Sequence, residues 1–196
     1  MKNKHIFFIP VIITVIGVII LYPFLSQNFL SILQAVKASI STRSLVSPVG
    51  LNLKYLILFS GLILMSFTDM LFERIAFIIP VFLIISGLIF AFIAKIPLLT
   101  PLEALLIGAG IFIAIDVTKL GSYAFGDITA AGAIGVFVGI KEIVIISIFA
   151  IILGKVIFYL GVKLHGICDK SRVKEFHFAF VPELFLATGI ILTFKL

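Results

Sequence analysis

The chain reads as an all-α polytopic membrane protein of six to seven transmembrane helices, and three observations carry that reading. Hydrophobic residues make up 62% of its 196 positions and charged residues 12%, with a mean hydropathy of +1.35, well beyond water-soluble domains. Most of the apolar residues fall in runs of about 20, the length a helix needs to cross a bilayer. Hydrocarbon offers no water to satisfy an open sheet edge, so helices, which close their own hydrogen bonds, are the economical solution.

The first run, Ile6 to Leu25, follows the basic segment Met1-Lys2-Asn3-Lys4-His5. No small-x-small cleavage triplet ends it, so it is expected to be a retained spanning helix rather than a signal peptide. Residues 26–50 place Phe29, Leu30, Leu33, Val36 and Ile40 at roughly helical spacing before a Ser/Thr-rich stretch that closes on Pro48 and Gly50. That pattern predicts an interfacial amphipathic helix and a loop. Residues 1–50 thus form an N-terminal helix plus interfacial segment, and 51–196 form the main membrane domain. Within it the apolar runs predict helices over 51–70, 75–94, 98–118, 127–140, 143–163 and 178–194. Gly108-Ala109-Gly110 and the series Gly132, Gly135 and Gly139 mark close helix packing, where small residues let backbones approach.

Lys2, Lys4, Arg74, Lys119, Lys163, Lys170, Arg172 and Lys174 fall on one side of these spans. Lys37, Arg43, Lys54, Lys95, Lys141 and Lys195 fall on the other. The majority orients the N-terminus toward the cytoplasm, and the basic loop 163–174 doubles as an anchor to anionic headgroups. Asp69, Asp116 and Asp127 then all sit near the cytoplasmic face. The lone Cys168 forms no intrachain disulfide, and His5, His165 and His177 show no metal-ligand spacing. No metal, cofactor or nucleic-acid partner is expected.

An ionised Asp in hydrocarbon costs several kcal/mol unless paired, protonated or beside water, so a membrane-embedded acid marks a functional site. Asp69 ends one apolar span, and Asp127, 58 positions later, opens another behind Gly126. Two carboxylates at close range cannot both ionise, and such a pair shares a proton. One member can then take a proton from water while the other donates to a peptide carbonyl. Gly126 would let the backbone turn tightly and a substrate strand come close. Simpler roles also exist. Asp127 would cap its helix and meet the positive helix end, and Asp69 would sit beside Glu73 and Arg74 at the headgroups. Asp116 pairs naturally with Lys119 three residues on, and either of these two, like Glu183 near the cytoplasmic boundary, offers contacts to a substrate. Lys155 lies inside a crossing and can snorkel.

The segment Tyr123-Ala124-Phe125-Gly126-Asp127-Ile128-Thr129-Ala130-Ala131-Gly132-Ala133-Ile134-Gly135-Val136-Phe137-Val138-Gly139 resembles the GxGD segment of type IV prepilin peptidases and archaeal preflagellin peptidases. In that family the motif opens a helix reading roughly GDxKLLAALGAxxG. Asp69-Met70-Leu71-Phe72-Glu73-Arg74-Ile75 resembles the family's first catalytic Asp with its following basic residue and Ile. Phe178-Ala179-Phe180-Val181-Pro182-Glu183-Leu184 is similar to its FxPF-like last helix. The resemblance covers roughly residues 52–194. Ala124 stands where the first Gly of the motif belongs, Thr129 where Lys is usual, and Glu183 where an apolar residue follows Pro182.

The resemblance implies a GxGD peptidase-like bundle with Asp69 and Asp127 as catalytic residues, Ala124 and Gly126 as backbone support, and Asp116, Lys119, Pro182 and Glu183 as substrate or electrostatic support. It implies substrates like prepilins or preflagellins, with a short basic leader cut at the cytoplasmic side of the membrane, just before a hydrophobic helix. Without the cysteine-rich and methylation segments of the long forms, methyl transfer is not expected. The competing class is a small transporter or proton-coupled channel that uses Asp116, Asp127, Glu183 and Lys155 as a relay. No inverted repeat supports it. A non-enzymatic assembly component would need neither Asp69 nor Asp127.

Overall fold

The computed structural model describes residues 48–72, 75–118, 123–164 and 180–195, and every described element is helical. In order these are α1 (Pro48–Phe72), α2 (Ile78–Ile93), α3 (Leu99–Val117), α4 (Phe125–Val138), α5 (Ile140–Leu164) and α6 (Val181–Lys195). The expected helix 6–25 and the amphipathic stretch over 26–47 lie outside the described residues. Pro48, Val49 and Gly50, read from sequence as the end of a loop, instead begin α1. Proline suits a first turn, where its missing N–H leaves no helical bond unmade. Leu53–Phe72, Leu99–Val117 and Ile140–Leu160 are long and apolar enough to cross a membrane, while α2, α4 and α6 are shorter apolar helices.

The centre of the bundle is α4, which packs against all five other described helices. Its sequence explains that position. Ala130, Ala131, Gly132, Ala133, Ile134, Gly135, Val136 and Phe137 are all buried, so the helix presents no polar face and is enclosed on every side. Its small residues bring α3 very close: a Cβ on Gly108 would stand 2.7 Å from the Ala131 carbonyl oxygen, and one on Gly135 would strike that of Ala104. The two glycines face each other's helices reciprocally, the close-packing mode of small residues in membranes.

Gly139 ends α4 with φ +96°, a conformation that L side chains rarely adopt, and α5 begins at the next residue. Sequence reasoning placed this break between 140 and 143, and one left-handed glycine makes the same reversal in a single residue. Around α4 the core is filled by Leu58, Phe59, Leu62 and Met65 of α1, Leu83 of α2, Phe112 of α3, Ile143 and Ile146 of α5, and Leu184 and Phe185 of α6. The opposite faces of the outer helices carry exposed Leu64, Phe67, Phe82, Ile89, Ile148 and Ile152, as lipid-facing surfaces do.

Candidate active site

One end of the bundle collects the C-terminus of α1 and the N-termini of α4 and α6, and each brings an acid. On α1 the buried positions Leu58, Leu62, Met65, Ser66 and Asp69 recur every three or four residues, so Asp69 continues the core-facing stripe. It is 8% exposed. Its Oδ2 accepts the Val181 N–H at 3.3 Å, and the adjacent Phe180 amide faces it as well. Asp69 therefore caps a helix that begins 112 residues later.

Asp127 is 7% exposed and occupies the third position of α4. Its Oδ2 reaches back to accept the Ala124 N–H at 3.0 Å. Ala124 is the N-cap, with extended φ −71° and ψ 154°. Having no side-chain oxygen, Ala124 caps nothing itself. The helix's own acid satisfies the amide instead, which is half of a capping box. Gly126 is helical, and a Cβ there would stand 2.7 Å from Ile75 Cδ1 and 2.9 Å from Ile75 Cβ. This corrects the sequence expectation: the space a substrate strand was expected to use is filled by the chain's own Ile75.

Glu183 takes the equivalent third position of α6. The first turn of that helix is buried throughout, from Val181 to Leu184. Its amides are accounted for: Val181 N–H goes to Asp69, Pro182 has none, and Glu183 and Leu184 donate to the Phe180 carbonyl at 3.1 and 3.3 Å. Glu183 itself is fully buried; among the described residues no other residue bonds its carboxyl oxygens, and its own backbone N–H faces the carboxyl. The sequence assigned it to the membrane boundary. The helix starts at Val181, three residues later than expected, which puts Glu183 in its first turn, where packing of the neighbouring helices buries it.

The three acids form one electrostatic group. The charge of Asp69 acts on Asp127, and both act on Glu183. Beside them Phe112, Tyr123 and Phe180 make a closed set of edge-on rings with centroids 4.8 to 5.4 Å apart. Tyr123 directly precedes the cap of α4, and Phe180 directly precedes α6, so this trio ties together the segments that deliver Asp127 and hold Asp69. Burial, and after it the charge of Asp127, keep the Tyr123 phenol above its ordinary range. A second ring pair, Phe77 stacked on Phe125 at 5.9 Å, anchors the start of α2 to that of α4.

The remaining candidates separate clearly. Pro182 is buried in the first turn of α6, one residue from Glu183. Asp116 is exposed on the last turn of α3 and does not join the acidic group. Lys119 lies outside the described residues. Lys155 is exposed on α5, so the relay of Asp116, Asp127, Glu183 and Lys155 is not assembled in one interior chain. Sequence reasoning missed Tyr123, Val181 and Ser66. Ser66 is fully buried one turn before Asp69, with its hydroxyl unpartnered. Only its i−3 spacing from an acid on a core stripe signalled it. No group of three or more His, Cys, Asp or Glu among the described residues is placed to hold a metal ion.

A family model described as the type IV leader peptidase family matches residues 56–159, more than half of the chain and a stretch that contains both Asp69 and Asp127. No curated protein matches the chain, and no solved structure does.

Proposed function

The chain belongs to the type IV leader peptidase family, and from that premise we propose that it is an aspartic endopeptidase that removes the short leader of prepilin-like or preflagellin-like proteins at the cytoplasmic face of the membrane. What supports this reading is that two buried aspartates from separate helices each accept a backbone N–H with one oxygen, and that the charge of Asp69 acts on Asp127. Fixed carboxylates suit general acid–base chemistry because their geometry costs no reorganisation when the reaction begins.

In the proposed reaction Asp69 and Asp127 share one proton. The ionised member takes a proton from water as the oxygen attacks the scissile carbonyl carbon, and the protonated member donates to the carbonyl oxygen. Collapse of the tetrahedral species breaks the C–N bond. The departing nitrogen takes up a proton, and the products are a carboxyl terminus and an amine. No covalent enzyme intermediate forms. A substrate whose hydrophobic helix shares the bilayer reaches the site by lateral diffusion, which replaces a three-dimensional search with a confined one.

The test is cleavage of a leader-bearing, helix-containing substrate by the full chain in membranes made up in heavy-oxygen water. The reading expects one cut just before the hydrophobic helix, with the heavy oxygen in the new carboxyl terminus. Failure to cut any leader-type substrate contradicts it.

A further inference from the structure

Phe112, Tyr123 and Phe180 form a closed trio of edge-on rings beside the acids, and of the three only Tyr123 has a polar tip. Packing does not ask for one. The chain uses Phe 21 times and Tyr 4 times, and a third Phe would make the same ring contacts. The hydroxyl needs an account of its own.

Its place in the site supplies one. Tyr123 directly precedes Ala124, whose N–H goes to Asp127. Its ring lies 4.8 Å from that of Phe180, which directly precedes Val181, whose N–H goes to Asp69. The ring therefore links the two segments that hold the acids, and Phe112 of α3 grips it from a third element at 4.9 Å. Asp69 and Asp127 are buried, whereas Tyr123 is half-buried and is followed by exposed Ala124 and Phe125. It borders a side from which a substrate can reach the acids.

The reaction calls for a donor at such a place. Negative charge grows on the scissile carbonyl oxygen as water adds, and a donor already fixed toward that oxygen lowers the barrier. The Val181 and Ala124 amides are committed to the carboxyls. Phe112 and Phe180 face Tyr123 without charge, and Asp127 of α4 is the titratable group whose charge acts on it. Burial, and after it that charge, hold the phenol above its ordinary range, so it stays a neutral O–H donor around neutral pH.

We propose that the Tyr123 hydroxyl donates a hydrogen bond to the scissile carbonyl oxygen as charge builds there, which makes it a third catalytic residue beside Asp69 and Asp127. This rests on the leader peptidase reading. No proton leaves the phenol: the protonated aspartate supplies the proton, and the hydroxyl stabilises the oxygen until it arrives. A tyrosine that merely rests its tip at the membrane boundary would pack the same way and leave the rate untouched.

The experiment measures kcat and KM of the full-length protein in detergent on a helix-containing leader peptide, with melting recorded alongside. Tyr123→Phe keeps all three rings. It should lose about 100-fold in kcat, as when one donor to a developing charge is removed, with KM and melting near neutral pH close to wild type. Tyr123→difluorotyrosine keeps the hydroxyl and lowers its titration. Its kcat should fall as that phenol ionises, at the pH read from the fluorine resonance of the same protein, while the wild type stays active there. A folded Tyr123→Phe with wild-type kcat, or with a loss confined to KM, overturns the inference. So does a difluorotyrosine variant whose kcat does not follow its phenol, and that variant decides the matter if Tyr123→Phe does not fold. If the wild type cuts no leader peptide, the leader peptidase reading fails and takes this inference with it.

Discussion

At the scale of single residues, backbone amides hold the two candidate catalytic acids. Val181 N–H donates to Asp69 and Ala124 N–H to Asp127, so each helix N-terminus supplies the fixed dipole that a buried carboxylate needs. Tyr123 gives a pH prediction. Its phenol is held above its ordinary range by burial and by Asp127, so the neutral phenol favours the folded state. That stabilisation is complete below the unfolded value of about 10 and is lost as pH rises through the higher folded value. Melting in detergent should therefore fall above pH 10 in the wild type and fall less in Tyr123→Phe. Parallel alkaline curves for the two proteins would contradict it. Replacing the ring altogether, in Tyr123→Ala, removes contacts to both Phe112 and Phe180 and should cost about 3 kcal/mol or more of stability.

At the scale of elements, α4 is the part on which the rest depends. Its glycines are not interchangeable. A Cβ on Gly135 meets the backbone of Ala104, which cannot rotate away, whereas one on Gly110 of α3 meets nothing within 4 Å. Gly135→Ala should therefore lower stability by about 1–3 kcal/mol, and Gly110→Ala should be neutral or raise it slightly. Equal melting temperatures for Gly135→Ala and the wild type would show that α3 and α4 pack less closely than described. The helices themselves were largely legible in sequence, because long apolar runs have few alternatives in a bilayer. Their starts were less so. The run around 178–194 has apolar residues on both sides of its true beginning, and only the turn chemistry of Phe180 and Pro182 fixes where α6 starts. That start puts Glu183 in the first turn, and its burial there comes from packing between helices, which hydropathy does not show. Likewise the pattern at Gly126-Asp127 identified the motif, but periodicity had no means of showing that Ile75 occupies the space over Gly126.

At the scale of the whole molecule, the bundle puts the acidic group at the end where α1 and α3 finish and α4 and α6 begin. Sequence spacing brought Asp69 and Asp127 to the same side of the membrane. It did not exclude Asp116, whose exposure depends on how α3 turns relative to α4, a property of packing rather than of hydropathy. The proposed orientation is testable with Cys168→Ser as background. Thr118→Cys, exposed at the site end of α3, should react with an impermeant thiol reagent only from the cytoplasmic side. Lys95→Cys, exposed beyond the C-terminus of α2, should react only from the outside. The reverse pattern would place the site on the outer face and contradict cleavage in the cytoplasm.

The most direct measurement compares leader cleavage by the wild type, Asp69→Asn and Asp127→Asn, each matched for membrane abundance and for melting in detergent. Asparagine keeps the size and a hydrogen-bond acceptor for the Val181 and Ala124 amides but cannot exchange the proton. The account predicts that each substitution lowers cleavage at least about 100-fold while the protein stays folded, as expected when a general acid or base is removed. Wild-type rates in either folded variant would mean that the two aspartates are structural caps and that the hydrolysis is carried out elsewhere.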